Sequence, residues 1–174
     1  YEQWAKIHNL KQAAKTYNFL TAHGIEQYGD LTAKIAEVQA ASGQAAEALK
    51  DVEARLSDMA VLIKNITTYQ KTKPAYDAYR KAKDRGSCRA AHERDIILHE
   101  AAVKAIKGAG ISKLPDIAAL QTEYAKLQER KEALYADYGK LKKQVKEYDV
   151  IKRNIDSILR QPREPEQEKG KERE

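Results

Sequence analysis

The sequence predicts an all-α protein: a long antiparallel two-helix coiled-coil hairpin, with a short N-terminal helix and a small helical lobe at its distal tip. Three observations carry this. Leu31, Ile35, Val38, Ser42, Ala45, Leu49, Val52, Leu56, Met59, Ile63 and Ile66 recur at alternating steps of four and three, the spacing of a coiled-coil seam. Ile117, Leu120, Tyr124, Leu127, Lys131, Leu134, Tyr138, Leu141, Val145, Tyr148, Lys152, Ile155 and Leu159 do the same. The apolar fraction of 42% leans on alanine, with one Phe and one Trp, while 33% of residues are charged; this suits thin helical layers rather than a thick core.

Residues 1–29 read as an amphipathic helix and turn. Trp4, Ile7, Leu10, Ala14, Tyr17 and Leu20 share one face at helical spacing. Gly24 supplies the left-handed residue that favours a helix stop. The first seam helix covers 30–73, roughly 60 Å at 1.5 Å per residue. Gly43 makes a kink or short break plausible there, and Pro74 disfavours helical geometry at Lys73.

Residues 74–114 read as a basic lobe of two short helices. One ends before Asp84-Arg85-Gly86-Ser87; Ser87 caps the next, which runs to about Lys107 and stops at Gly108 and Gly110. Pro115 opens the second seam helix, 115–160. Residues 161–174 are Gln, Pro, Glu, Lys and Arg with one Gly and nothing large and apolar, a composition expected to be disordered. A faint echo links Gly24-Ile25, Tyr28, Asp30-Leu31 with Gly110-Ile111, Leu114, Asp116-Ile117; shared stop-turn-start chemistry explains it more simply than duplication.

A lone amphipathic helix leaves its stripe in water, so the two seams are expected to bury each other within one molecule, a monomer being favoured over a homodimer. The expected register sets Leu31 near Leu159, Val52 near Tyr138 and Ile66 near Tyr124. It places Ser42 opposite Tyr148, Lys131 near Met59 and Lys152 near Val38.

The formal net charge of +6 and pI of about 9.2 favour acidic partners. The cations concentrate in the lobe: Lys71, Lys73, Arg80, Lys81, Lys83, Arg85, Arg89 and Arg94, opposed only by Asp77, Asp84 and Glu93, with Tyr69, Tyr76 and Tyr79 beside them. Lys and Arg neutralise phosphates and tyrosine rings stack on unpaired bases. Lys71, Lys73, Tyr76, Tyr79, Arg80, Lys81, Lys83, Arg85 and Arg89 are therefore the candidate DNA contacts, with salt-sensitive binding. The plain alternative is a solvated helical lobe whose tyrosines pack on the helix ends.

Cys88, His92, Asp95 and His99 fall at steps of four, three and four, one face of a helix and a weak zinc candidate. Val103 and Ile106 continue that stripe, which points instead to a half-buried histidine face, so neither metal nor cofactor is expected. The ten tyrosines lack the clustered histidines or carboxylates that would activate a nucleophile, and no glycine-rich phosphate loop is present. The chain is read as non-enzymatic.

Cys88 is the single cysteine, so no internal disulfide forms and a cytoplasmic setting is expected. No apolar run spans a bilayer, and no membrane association is expected. Tyr1 in place of an initiator Met suggests a piece of a longer protein.

Tyr1-Glu2-Gln3-Trp4-Ala5, Asn9-Leu10-Lys11-Gln12-Ala13-Ala14, Phe19-Leu20, His23-Gly24-Ile25 and Tyr28 together form a recognisable opening. Tyr69, Lys71-Thr72, Tyr76, Tyr79-Arg80-Lys81-Ala82, His92-Glu93, Asp95-Ile96, Leu98-His99, Ala101-Ala102, Lys113-Leu114-Pro115, Leu120 and Glu123-Tyr124 extend it. Over about residues 1–160 the pattern resembles the helical region that follows the nuclease domain in relaxases, the mobilisation proteins of conjugative and integrative elements of Gram-positive gut bacteria. The resemblance implies DNA handling, relaxosome assembly or docking to the transfer machinery. The family's nicking tyrosine and histidine-held metal belong to an upstream domain, so no catalytic residue carries over. A protein-interaction arm without DNA contact, a generic coiled-coil spacer and an RNA-holding arm are the competing readings.

Overall fold

A computed structural model of the chain describes residues 2–160; the tail expected to be disordered lies outside them. Among the described residues there are five helices and no strand: α1 (Glu2–Ala22), α2 (Tyr28–Lys81), α3 (Arg85–Ala91), α4 (Glu93–Gly108) and α5 (Ile117–Arg160). Two compact units divide them. One takes residues up to Gln44 and from Tyr138 onward; the other is Ala45–Asp137.

In the first unit, α1 ends as its sequence requires. Gly24 adopts φ +62°, its N–H bonds the Thr21 carbonyl at 3.2 Å and the Ile25 N–H bonds that of Leu20 at 2.9 Å, the Schellman pattern. Asp30 then accepts from the Gln27 N–H at 3.1 Å as α2 begins. Leu31, Ile35 and Val38 of α2 bury themselves with Tyr148 and Ile151 of α5, flanked by Phe19, Leu20, Ile25, Val145 and Ile155. Phe19 meets the Tyr148 ring edge-on at 5.1 Å. Three helices, not two, thus share this core.

Most of the apolar stripe of α1 does not pack. Trp4, Ile7, Leu10 and Tyr17 stand exposed, while Thr16 is only 2% exposed. The Thr16 hydroxyl donates to the Gln12 carbonyl at 2.9 Å and accepts from Asn154 Nδ2 at 3.2 Å. The reason is local. Phe19 and Leu20 near the end of α1 are bulky enough to settle its rotation against Tyr148 and the α2 core, and Thr16 lies on their side of the helix.

In the second unit, Val52 and Leu56 of α2 bury against Leu127 of α5, with Met59, Tyr124 and Leu134 alongside. Ile66 is fully buried, as is Ile96 of α4; Ala102 and Ile106 follow Ile96 into the core at helical steps. The end of α4 repeats the chemistry of α1. Gly110 adopts φ +75°, its N–H bonds the Lys107 carbonyl at 2.9 Å and the Ile111 N–H that of Ile106 at 3.3 Å. The faint echo is therefore one Schellman stop used twice.

Several boundaries differ from expectation. Helix α2 runs unbroken through Gly43 and carries Pro74 inside it, ending at Lys81 rather than Lys73. Asp84, not Ser87, caps α3, its carboxylate accepting from the Gly86 and Ser87 N–H groups, and Ser87 Oγ donates to the same carboxylate at 2.7 Å. The helix expected to run from there to Lys107 breaks at His92, whose backbone (φ −126°, ψ 25°) leaves helical geometry. Pro115 precedes α5, where Asp116 accepts from the Ala118 N–H at 3.3 Å.

The facing residues of α2 and α5 also differ. Lys131 meets Glu53 at 2.9 Å, not Met59. Tyr28 Oη donates to Asp156 at 2.8 Å; Lys152, one turn before Asp156 on α5, bonds it at 2.8 Å and lies 5.8 Å from the Tyr28 ring centre. Tyr148 sits with Leu31, Ile35 and Val38, not opposite Ser42. Tyr124 packs on the Val52–Leu56 cluster, not on Ile66. The Glu53–Lys131 and Tyr28–Asp156 pairs each lie about six residues from the expected register, close to one heptad, a slip that keeps apolar facing apolar and so leaves no trace in the periodicity. Leu159 still lines a small recess with Leu31 and Ile155.

Candidate nucleic-acid interface

The basic lobe is built by the last turns of α2 with α3 and α4. Tyr69, Thr72 and Tyr76 follow one another at steps of three and four, so they share a face of α2, and that face meets His99 of α4. The imidazole lies between two tyrosine rings, 4.8 Å from Tyr69 and 4.3 Å from Tyr76, both stacked. Thr72 Oγ1 stands 3.0 Å from His99 Nδ1. The hydroxyl's one proton goes to the Thr68 carbonyl at 2.8 Å, so the bond to histidine fits an Nδ1–H donor and a hydroxyl acceptor. Burial pushes the imidazole below its ordinary proton affinity, while a hydrogen bond to the Tyr69 backbone and the nearby Asp77 pull it upward.

This cluster explains Pro74. A proline inside a helix removes one backbone bond and crowds the turn before it. Here, Tyr69 and Thr72 lie before it and Tyr76 after it, all holding one histidine, so tertiary packing carries the helix across.

The candidate contacts divide into two groups. Tyr76 is half-buried against His99, and Tyr79, also half-buried, lies 6.1 Å from Tyr76 with the Arg89 guanidinium 5.8 Å from its ring centre. Neither ring is a bare stacking platform. Arg89 also reaches Glu100 at 3.9 Å; a hydrogen bond to Tyr79 and then the Glu100 charge hold its proton more tightly than usual. Lys73 pairs with Asp77 at 2.6 Å, and that bond lowers the Asp77 carboxyl's proton affinity. Lys71, Arg80, Lys81, Lys83 and Arg85 are exposed and make no ion pair within the described residues. Among the candidate contacts, these five are the cations open to a polyanion.

The zinc-candidate residues are dispersed. Cys88 lies on α3, His92 at the junction, and Asp95 and His99 on α4, with His99 turned into the tyrosines. Among the described residues, no group of three or more His, Cys, Asp or Glu side chains gathers as a metal site, and no helix is long and apolar enough to cross a membrane. Sequence reading missed the histidine clamp because it stopped α2 at the proline. The signal was present: Tyr69, Thr72, Tyr76 and Tyr79 continue a helical stripe straight through position 74.

No protein-family model matches the chain, and neither the curated proteins nor the solved structures provide a match.

Proposed function

We propose that this chain is a non-catalytic accessory helical domain of a relaxase or mobilisation protein, aiding DNA binding or relaxosome assembly during conjugative transfer. In this reading α2 and α5 continue as one antiparallel coiled-coil hairpin, and the basic lobe is its DNA-facing part. The observation that carries the reading is the set of five unpaired, exposed cations, Lys71, Arg80, Lys81, Lys83 and Arg85, at the end of α2 and the start of α3. Two of the three acids in that run are already engaged: Asp77 by Lys73 and Asp84 by the cap of α3. A phosphate backbone therefore meets positive charge with little competition.

The test is fluorescence anisotropy with short single- and double-stranded DNA over a salt series. Affinity should fall steeply with salt, and Arg80→Glu, Lys81→Glu and Arg85→Glu together should abolish it. Salt-independent binding, or an unaffected triple variant, overturns the proposal. Absence of any DNA binding would favour the alternative, a protein-interaction arm docking a relaxosome or coupling protein.

A further inference from the structure

Helix α1 carries an apolar face that its own unit leaves uncovered. Trp4 is 67% exposed, Leu10 73% and Tyr17 69%, with Ile7 more than half exposed. Every residue from Gln3 to Lys11 is exposed. These side chains recur at steps of three and four with Ala14, one continuous stripe. Around them stand Lys6, Lys11 and Lys15, and no acidic residue occurs between Glu2 and Glu26. From this geometry we infer that α1 is an interfacial helix that lies on an anionic phospholipid surface, its Trp4–Tyr17 stripe in the headgroup layer and its lysines on the lipid phosphates.

The charge pattern selects this occupant. A second copy of the chain would bring Lys6, Lys11 and Lys15 against their own equivalents with no carboxylate to oppose them. Residues 161–174 have no large apolar side chain with which to cover the stripe. A dry groove in a protein, whether a separate partner or a domain preceding α1 in the proposed parent, meets a different obstacle. Lys11 follows Ile7 by one turn and Trp4 by two, so it stands inside the stripe, and a closed groove would have to desolvate its ammonium. At a bilayer surface the lysine stem lies along the apolar face while its head reaches outward to phosphate. Trp and Tyr, with an apolar body and a polar edge, suit the same layer. The absence of a spanning helix excludes only crossing by the described residues; lying in the interface requires one exposed apolar face and basic flanks.

Trp4 is the only tryptophan, so its emission reports this site alone. The full chain is mixed with vesicles of pure phosphatidylcholine or of equimolar phosphatidylcholine and phosphatidylglycerol. The expected result is a blue shift and co-flotation with the anionic vesicles only. Ile7→Ser with Leu10→Ser should weaken partitioning about tenfold or more; both side chains are exposed, so the circular dichroism of the fold should not change. The variant Arg80→Glu, Lys81→Glu, Arg85→Glu should float as well as the parent, which separates this site from the DNA-facing lobe. Three outcomes overturn the inference: no shift with anionic vesicles, undiminished binding by the double serine variant, or a blue shift that appears with protein concentration alone and so reports self-association.

Discussion

Thr72 and His99 meet at 3.0 Å across the α2–α4 contact, both buried. The bond sits two residues before Pro74 and beneath the two tyrosine rings that enclose the imidazole. Removing the hydroxyl leaves the buried ring with only the Tyr69 backbone to bond. Thr72→Val should therefore destabilise the protein by about 1–3 kcal/mol in urea unfolding. Amide exchange should quicken around residues 69–79 before elsewhere. An unchanged urea midpoint would show that the histidine finds another partner.

The same pair sets a pH dependence. Burial holds His99 below its ordinary value of 6.5 in the folded protein, so the unfolded chain binds this proton more readily. The resulting stabilisation is fully present above the ordinary histidine pKa and is lost as pH falls through the lower folded-state value. The melting temperature should thus drop on going from about pH 7 to about pH 5, and His99→Gln, which cannot titrate, should flatten that part of the profile. Equal slopes for parent and variant would place the dependence on other groups.

Pro74 offers a prediction of opposite sign. Its ring denies the Gln70 carbonyl a helical donor, at a cost of about 3 kcal/mol in an ordinary helix interior. Because packing on both sides already fixes the helix, Pro74→Ala should restore the bond and raise stability, by about 1–2 kcal/mol once the greater freedom of the unfolded chain is included. A loss of stability would mean that the proline shapes the tyrosine clamp itself.

All-helical character and most helix ends were legible in the sequence. The heptad stripes named Leu31, Ile35, Val38, Val52, Leu56, Ile66 and Leu127, and all are buried; Gly24 and Gly110 marked two stops with positive φ. What was not legible depends on contacts between distant residues. A repeat of seven is blind to a shift of seven, so the Glu53–Lys131 and Tyr28–Asp156 contacts could not be read from it. Local propensity ended α2 at Pro74, whereas His99, far along the chain, holds it together. The rotation of α1 is set by Phe19, Leu20 and Thr16, which outcompete a longer apolar stripe. Five of the nine candidate contacts at the lobe remain open cations; Lys73, Tyr76, Tyr79 and Arg89 have protein partners.

The rotation of α1 gives the last prediction, a contrast between two leucines. Leu10 and Leu31 read alike in the sequence, each on an apolar stripe of a helix. In the structure, Leu10 is 73% exposed and Leu31 fully buried. Leu31 meets Ile35, Val38, Tyr148 and Ile151, so truncation leaves a cavity among side chains held by three helices. Leu31→Ala should cost about 2–5 kcal/mol in chemical unfolding. Leu10→Ala removes side chain already in water and should stay within about 0.5 kcal/mol of the parent. Thr16→Val tests the same orientation from the packed side. It preserves shape but deprives Asn154 of its acceptor, so it should destabilise by about 1 kcal/mol. If instead Leu10→Ala proves the costly change and Leu31→Ala the mild one, α1 packs through its apolar stripe after all.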